Sequence, residues 1–542
     1  MRADDTVECH VLVIGSGGAG VRAAIEAEKS GDTVLVSKSL AGKGGCTPMA
    51  EGGYNAVLRE EDSCVAHKED TIRGGAYLND PVLVDILVNE APERFRELVS
   101  WGAVFDRTDA GEFAQRAFGG QRVPRTCYAG DRTGHEMMMT LLERLRASDV
   151  TVLQEFSVID LLKREGRVVG AVGLDRNGDL KALQADSTVI ATGGASRIYD
   201  ISTNSATGTG DGFAMGYRAG AELIDMEMVQ FHPTGAVYPY DARGRLITEA
   251  VRGEGGILVN SKGERFMQRY DPERMELSTR DVVARSIARE VAEGRGTPRA
   301  GVFLDVTHLP PEQIEKRLPL MLEQFLAFGI DIRKEKMEVS PTAHHFMGGM
   351  RITPTGETTV PGLFACGEAA GGVHGANRLG GNSLAETQVF GRRAGEAAGR
   401  APSREIRIDA RQLDGYRRKL EEFHAGGVNP VTVVKKLQEA MWSGAGIARN
   451  VNDLERTLVD VEKLSKKKLL AQTPLNRAEC FTVQNMCLVA SLVIRSALLR
   501  GESRGAHTRT DVFQSWDAAN SPYGHTYISL HKAGIEERKV PG

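Results

Sequence analysis

The sequence has few cysteines, few aromatic residues and little net charge. Of its 542 residues, 7 are cysteine, aromatic residues make up 6%, and the formal net charge is −4. The cysteines lack the close pair spacing of zinc or iron–sulfur ligands, so we expect no metal site in this chain. The charge balance disfavours nucleic-acid binding as a main role. An odd cysteine count in a glycine-rich chain is typical of a reducing compartment, which predicts a cytoplasmic protein.

Long hydrophobic runs are also missing. The most apolar stretch, 486–499, contains Arg495 and is shorter than a membrane span, so we interpret it as a core helix. The first residues, MRADDTVECH, do not resemble a signal peptide or a twin-arginine export signal. We therefore predict no direct membrane insertion. Any attachment to the inner face of a membrane would come through partner subunits.

Glycine, by contrast, is abundant, with 62 residues, and the first cluster has a recognisable context. Residues 10–14 (HVLVI) predict a strand, 21–29 predict a helix and 33–36 predict a second strand. Between the first strand and the helix lies GSGGAG, the turn that lets backbone approach a dinucleotide pyrophosphate at a helix N-terminus. The predicted pyrophosphate-binding residues are Gly15, Gly17, Gly18 and Gly20.

The second strand ends in Val36-Ser37-Lys38, without the acidic residue expected for a ribose. Ser37 and Lys38 are therefore the candidates for this position. Glycine-rich or acidic turns recur at 188–194, 207–212 and 362–372, and the segment 374–386 opens a helix. A long cofactor such as FAD needs distant contributions of this kind. The further predicted cofactor-binding residues are Gly45, Cys46, Thr47, Gly52, Gly53, Thr192, Gly193, Asp211, Glu368, Ser383 and Leu384.

The segment 245–281 concentrates arginine beside glycine. Arginine presents a planar fork that matches a carboxylate, so this composition predicts a site for a small dianion. Glu249 and Arg252 are three residues apart and share one face of a helical turn. Arg265 and Arg269 are interpreted as structural ion-pair partners.

Longer motifs carry a resemblance to a known family. They include VLVIGSGGAG, MAEGG, AGDRTGH, ATGTGDG, QFHPTG, LITEAVRGEGG, PTAHHFMGG, HGANRLGGNSLAE and ESRGAH. The chain resembles the flavoprotein subunit of succinate dehydrogenase and fumarate reductase almost end to end. The resemblance implies a C4-dicarboxylate site formed by His232, Thr248, His344 and Arg378. It also implies Arg280 as proton donor, with Glu249 and Arg252 as its proton relay.

One departure from the family concerns flavin attachment. Membrane-bound members carry a histidine, covalently joined to the flavin, a few residues before the AEGG segment. Here that position holds Cys46, and the next histidine is His67. We therefore predict non-covalent FAD, with a thioether link through Cys46 as the alternative. The absence of the histidine favours fumarate reduction. The chain is most similar to the soluble thiol-driven fumarate reductases of methanogens, which implies an iron–sulfur partner subunit that oxidises coenzyme thiols.

Alternative functions stay open at this point. The first is succinate dehydrogenase, working in the oxidative direction. The second is L-aspartate oxidase, which is disfavoured because residues 115–121 (QRAFGGQ) lack the carboxylate that meets the substrate ammonium in that enzyme. A flavin scaffold that only conducts electrons is disfavoured because both Arg280 and Arg378 are present.

The predicted fold class is α/β, with a Rossmann-like FAD-binding domain, an inserted α+β capping domain and a C-terminal helical domain. We expect the FAD-binding domain at 1–235 and 350–405, the capping domain at 236–349 and the helical domain at 406–500. A C-terminal extension at 501–542 is expected to be rich in loops and to pack back on the FAD-binding domain.

Overall fold

The computed structural model describes residues 6–403, 408–514, 521 and 524–539. The strands are β1 (Thr6–Ile14), β2 (Thr33–Val36), β3 (Tyr54–Asn55), β4 (Gln115–Arg116), β5 (Thr126–Cys127), β6 (Thr151–Leu153), β7 (Ser157–Arg164), β8 (Arg167–Leu174), β9 (Leu180–Ile190), β10 (Leu223–Ile224), β11 (Val229–Ala236), β12 (Ile257–Val259), β13 (Val302–Asp305), β14 (Met337–Phe346), β15 (Gly349–Arg351), β16 (Leu363–Ala365), β17 (Ala370–Gly371), β18 (Ala448–Arg449), β19 (Glu502–Ser503), β20 (Thr508–Arg509), β21 (Phe513–Gln514), β22 (Thr526–His531) and β23 (Gly534–Lys539). The helices are α1 (Gly18–Ala27), α2 (Cys64–Gly74), α3 (Pro81–Ser100), α4 (Thr133–Arg146), α5 (Asp211–Ala219), α6 (Glu249–Gly253), α7 (Met267–Tyr270), α8 (Arg280–Ala292), α9 (Pro311–Arg317), α10 (Pro319–Ala327), α11 (Asn382–Gly399), α12 (Ala410–Glu422), α13 (Pro430–Gly444), α14 (Val451–Ser465) and α15 (Pro474–Leu499).

The largest sheet has the order β6-β2-β1-β9-β8-β7, with β16 paired to β9. Strand β1 runs parallel to both β2 and β9, which places the carboxyl ends of these strands at one edge. The apolar run of β1 is buried from Val11 to Ile14. Ligands bind at this edge in open parallel sheets, and the glycine turn after β1 lies there.

Helices α1 and α11 pack together through glycine. A Cβ on Gly391 would lie 2.7 Å from the Ala19 carbonyl oxygen, and one on Gly395 would lie 2.2 Å from that of Ala23. The spacing of four residues on both helices means that they run in parallel along a shared face. Both N-terminal ends therefore point towards the same edge of the main sheet.

A second apolar core is formed by residues between Ala236 and Val339. Its residues come from the sheet β11-β14-β13-β12 and from the helices between these strands. This core lies within the segment for which the sequence predicts a capping domain. The domain boundaries themselves stay predictions, and the one between 405 and 406 lies outside the described residues.

Between residue 408 and Leu499 the chain is mostly helical, apart from the short strand β18, and it then forms further short strands. The last two, β22 and β23, pair as an antiparallel hairpin. Strand β22 also pairs with β10 through Leu223 and Leu530, so the chain end joins a sheet that contains β15 and β17. The described part of this extension is therefore less rich in loops than expected.

Helix α15 differs from the sequence-based expectation. The apolar stretch 486–499 is the second half of a 26-residue helix, so the argument from short length is wrong. Within the described part of the chain, α15 is the helix that is long and apolar enough to cross a membrane by length and composition. However, 61% of its most apolar window is buried inside the protein, as in the core helix of a folded domain.

Candidate active site

The glycine turn after β1 has two different functions. A Cβ on Gly15, whose φ is +113°, would lie 2.3 Å from the Ala191 carbonyl oxygen, and one on Gly20 would lie 1.8 Å from the Gly15 carbonyl oxygen. Gly15, Gly17 and Gly18 line a large cavity, but Gly20 does not. Gly20 thus packs against the backbone of the turn, and its place at the cofactor stays a prediction. Its missing side chain allows α1 to pack closely against the turn.

The remaining predicted cofactor residues converge on this cavity from distant parts of the chain. Besides the three glycines, the cavity is lined by Ser37, Lys38, Gly45, Cys46, Thr47, Gly52, Gly53, Thr192, Gly193, Asp211, Glu368, Ser383 and Leu384. Helices α1 and α11 both begin at its wall, and neither N-cap glycine provides a side chain to cap the first-turn amides. Such helix N-termini favour anionic or carbonyl groups of a ligand.

Three observations test whether FAD fits these residues. The Thr192 hydroxyl is buried and has no hydrogen-bond partner among the residues that the structure describes. A Cβ on Gly45 or Gly193, both with positive φ, would meet no atom within 4 Å, so these backbones face open space. The cavity also runs without interruption from the glycine turn to α11. The donors and the open backbone thus suit a long dinucleotide.

Sequence reasoning missed part of the wall. Phe156 and Val158, on either side of the start of β7, also line the cavity. The Phe156 amide donates to the Ser37 carbonyl oxygen over 2.9 Å, so the segment is held beside the end of β2. No motif marks these residues. Their position depends on the tertiary structure, in which β6 pairs with β2 and ends at the same edge of the sheet.

The predicted substrate residues meet the same cavity at the side of the second core. His232, Thr248, Glu249, Arg280, His344 and Arg378 all line it. The rings of His232 and His344 lie on adjacent strands, β11 and β14, with their centroids 5.0 Å apart. Thr248 is also the N-cap of α6, because its hydroxyl accepts from the Ala250 amide at 3.3 Å.

Arg280 is the first residue of α8, and its guanidinium is fixed by neutral and charged partners. Its Nε donates to Glu249 Oε2 at 2.8 Å. A second nitrogen donates to Gln230 Oε1 at 3.1 Å, and the same oxygen accepts from Arg378 at 3.2 Å. Gln230 is buried and holds two guanidiniums together without neutralising them. The sequence motif QFHPTG contains this residue, but its role was not predicted.

Arg252 lies behind Glu249 and does not line the cavity. Its side chain is fully buried, it lies 3.8 Å from the Glu249 carboxylate, and it donates to the Glu276 carbonyl oxygen. The pair Glu249 and Arg252 therefore extends inwards, and neither side chain is exposed to solvent. Arg265 and Arg269 form ion pairs with Glu276 and Glu290 away from the cavity, which confirms their structural interpretation.

Burial and the arginines set the protonation states of the site. Burial, together with Arg280, holds the pKa of His232 and of His344 well below the ordinary range, so both rings are neutral at pH 7. Burial alone would raise the pKa of Glu249, but Arg280 and Arg252 lower it below its ordinary value. Burial, followed by Arg280, lowers the pKa of Arg378 to about 9. The site therefore combines neutral imidazoles with cationic guanidiniums.

Comparison with protein families supports the interpretation of this cavity as an FAD site. Residues 10–384 match the family described as "FAD binding domain", and residues 434–539 match "Fumarate reductase flavoprotein C-term". Fold and site together define an FAD-dependent oxidoreductase of the mixed α/β class, which confirms the predicted fold class. The attachment of the flavin is not established by the family match.

Individual relatives define the family more closely. The chain is 53% identical over 517 residues to a fumarate reductase (CoM/CoB) subunit from Methanothermobacter marburgensis, covering 93% of this chain and 94% of the relative. It is 38% identical to the fumarate reductase flavoprotein subunit of Escherichia coli, covering 93% and 89%. A solved E. coli quinol fumarate reductase flavoprotein superposes with a TM-score of 0.92 at 35% identity, covering 99% and 97%. The chain belongs to the family of succinate dehydrogenase and fumarate reductase flavoprotein subunits.

Proposed function

We propose that this chain is the catalytic flavoprotein subunit of an enzyme that reduces fumarate to succinate. One observation carries the proposal. A single cavity is lined at one end by the dinucleotide-type turns and at the other by His232, Thr248, Arg280, His344 and Arg378. A dicarboxylate placed at the second end would lie next to a flavin held by the first. The relatives named for fumarate reductase support the same reaction.

The residues of the substrate end suit a C4 dicarboxylate. Arg378 provides a fixed cation for one carboxylate, and its buried Nε has no partner among the described residues. The Thr248 hydroxyl and the neutral rings of His232 and His344 provide polar contacts for the other. Because these groups are held by burial and by hydrogen bonds within the protein, little reorganisation is needed when negative charge develops on the substrate.

FAD, when bound and reduced, supplies the hydride for one alkene carbon. Arg280 is proposed to protonate the neighbouring carbon, since its guanidinium faces the cavity and is held from behind by Glu249 and Gln230. Glu249 and Arg252 are proposed as the relay that returns a proton from solvent to Arg280. Glu249 is paired with Arg280 at 2.8 Å and lies 3.8 Å from Arg252.

We propose that FAD is bound without a covalent link. The segment Gly44–Gly53 contains no histidine. Cys46 lines the cavity, but burial, followed by the nearby Glu368 carboxylate, raises the pKa of its thiol to about 12. A neutral buried thiol is a poor nucleophile, which disfavours a thioether link. A histidyl link raises flavin potential in this family, so its absence favours fumarate reduction over succinate oxidation.

We further propose that residues 236–349 act as a capping domain. They have their own apolar core and contribute Thr248, Glu249 and Arg280 to the cavity. Closure of this domain over the flavin would exclude water from the reaction. Electrons are proposed to come from an iron–sulfur partner subunit that oxidises coenzyme thiols. The printed name of the Methanothermobacter relative, which contains CoM/CoB and a subunit letter, supports the coenzymes and a multi-subunit enzyme. The complex is expected in the cytoplasm, with any membrane contact made by its partners.

The proposal is tested with the purified FAD-loaded protein under anaerobic conditions. Chemically reduced viologen should be oxidised when fumarate is added, and succinate should appear in equal amount by NMR. Oxidation of L-aspartate in place of fumarate reduction would favour the alternative enzyme. Purification of the native complex should recover an iron–sulfur subunit, and recovery of a membrane-anchored, quinone-linked partner would contradict the thiol-driven version.

A further inference from the structure

Helix α15 lies outside the cavity wall but is hydrogen-bonded to two residues of that wall. Lys38 and Asp211 line the cavity, whereas no described residue of α15 does. The Lys38 ammonium donates to the Thr482 hydroxyl at 2.8 Å. The Asn485 amide nitrogen donates to Asp211 Oδ1 at 2.7 Å. Two neighbouring turns of one helix thus hold two residues of the predicted cofactor site.

The orientation of the Asn485 amide is fixed by chemistry. Its oxygen accepts from the Arg218 guanidinium at 2.7 Å, while its nitrogen faces the Asp211 carboxylate. A guanidinium can only donate and an ionised carboxylate can only accept, so an amide in one orientation satisfies both. Arg218 is itself held by Asp160 at 3.1 Å. The buried Asn485 therefore links Asp211 to the ion pair between Arg218 and Asp160.

Asp211 remains an acceptor because of these partners. Its second oxygen accepts from Lys38 at 3.0 Å and from the Thr209 hydroxyl at 2.7 Å. Burial alone would raise the pKa of Asp211, but Lys38 and the Asn485 amide hold it below the ordinary value. The carboxylate is therefore ionised at the cavity wall, where it suits a hydroxyl group of a ligand.

Packing ties the same helix to the turn before Asp211. Gly210 has a φ of +78°, and a Cβ at this position would lie 3.1 Å from the Val489 side chain on α15. The turn that places Asp211 at the N-terminus of α5 is thus in close contact with α15. A displacement of the helix would move both Asp211 and Lys38.

We propose that Asn485 and Thr482 are positioning residues for FAD, so that a helix outside the matched FAD-binding domain completes the cofactor site. The domain match ends at residue 384, about one hundred residues before Asn485. The proposal deepens the proposed function and depends on its non-covalent FAD. It predicts that cofactor affinity depends on a part of the chain that contacts no cofactor.

The test is the dissociation constant of FAD, measured with full-length protein by the fluorescence of released flavin. Asn485→Leu is expected to weaken FAD binding about tenfold or more, since it removes one charge-assisted hydrogen bond from Asp211 and one from Arg218. Asn485→Asp should weaken it as well, because the new carboxylate faces Asp211. Thr482→Val should weaken binding, whereas Thr482→Ser, which keeps the hydroxyl, should match the wild type.

Two controls separate positioning from general destabilisation. Val493→Ala removes buried volume from the same helix without touching Lys38 or Asp211, so it should lower the melting temperature and leave FAD affinity unchanged. The effects of Asn485→Leu and Lys38→Met should be less than additive, because both act on Asp211. Unchanged affinity in Asn485→Leu, or equal weakening in Val493→Ala, would overturn the proposal. FAD affinity is measured without fumarate, so failure of the proposed reaction would be seen separately.

Discussion

Arg280 and Glu249 form a buried ion pair, with the Arg280 Nε 2.8 Å from Glu249 Oε2. The other carboxylate oxygen of Glu249 accepts from the Gly119 amide at 2.7 Å. Both oxygens are therefore occupied by partners from different parts of the chain. This fixes the guanidinium of Arg280 at the cavity wall before any substrate enters.

Replacement of Arg280 by lysine tests the proposed proton donor. Lysine keeps the charge but cannot reach Glu249 and Gln230 at once in the geometry of the guanidinium. We expect Arg280→Lys to lower kcat for fumarate reduction by about 10²–10⁴-fold. Flavin absorbance should show that FAD stays bound. Turnover close to that of the wild type would refute the proposed role.

The neutral side chain of Gln230 is expected to be important for fumarate binding. Its oxygen accepts from both Arg280 and Arg378, and Gln230→Glu would place a negative charge between the two cations. We expect KM for fumarate to rise about tenfold or more, since a carboxylate there repels the dianion. Gln412→Glu serves as a control, because Gln412 donates to the Lys163 carbonyl oxygen and neither residue lines the cavity. An unchanged KM in Gln230→Glu would contradict this electrostatic account.

The pH dependence of substrate binding follows from the protonation states of the site. His232 and His344 are neutral at pH 7 because burial and Arg280 lower the pKa of each ring well below its ordinary value. KM for fumarate should therefore stay flat between pH 7 and 8. It should rise as the pH approaches the pKa of Arg378, about 9, because deprotonation removes a cation. If affinity for fumarate instead fell as the pH was raised from 6 to 7, a protonated histidine would be needed for binding.

Flavin attachment can be tested by acid precipitation. We expect the wild-type protein to release free FAD into the supernatant and to leave a colourless pellet. Cys46→Ala should behave in the same way, since the proposal gives its thiol no covalent role. A yellow pellet from the wild type and a colourless one from Cys46→Ala would instead demonstrate a link through Cys46.

Much of the cofactor site could be predicted because its signals are local. A strand, a glycine turn and a helix follow each other within 20 residues, and steric demands at Gly15 and Gly20 dictate the residue type there. The same locality limits the prediction. The sequence does not distinguish a glycine that faces a ligand from one that packs against backbone, as Gly20 does. Likewise, the apolar stretch 486–499 gave no indication that α15 begins at Pro474.

The sequence by itself determined the family and the cofactor class, and it predicted the substrate-end residues, because these depend on residue types in long motifs. Only the tertiary structure decided which groups touch. Gln230 lies about fifty residues from Arg280 and about one hundred and fifty from Arg378, and Asn485 lies far from Asp211 and Lys38. Hydrogen bonds act over about 3 Å in space, regardless of separation along the chain. Such contacts exist only once the sheets and helices have packed.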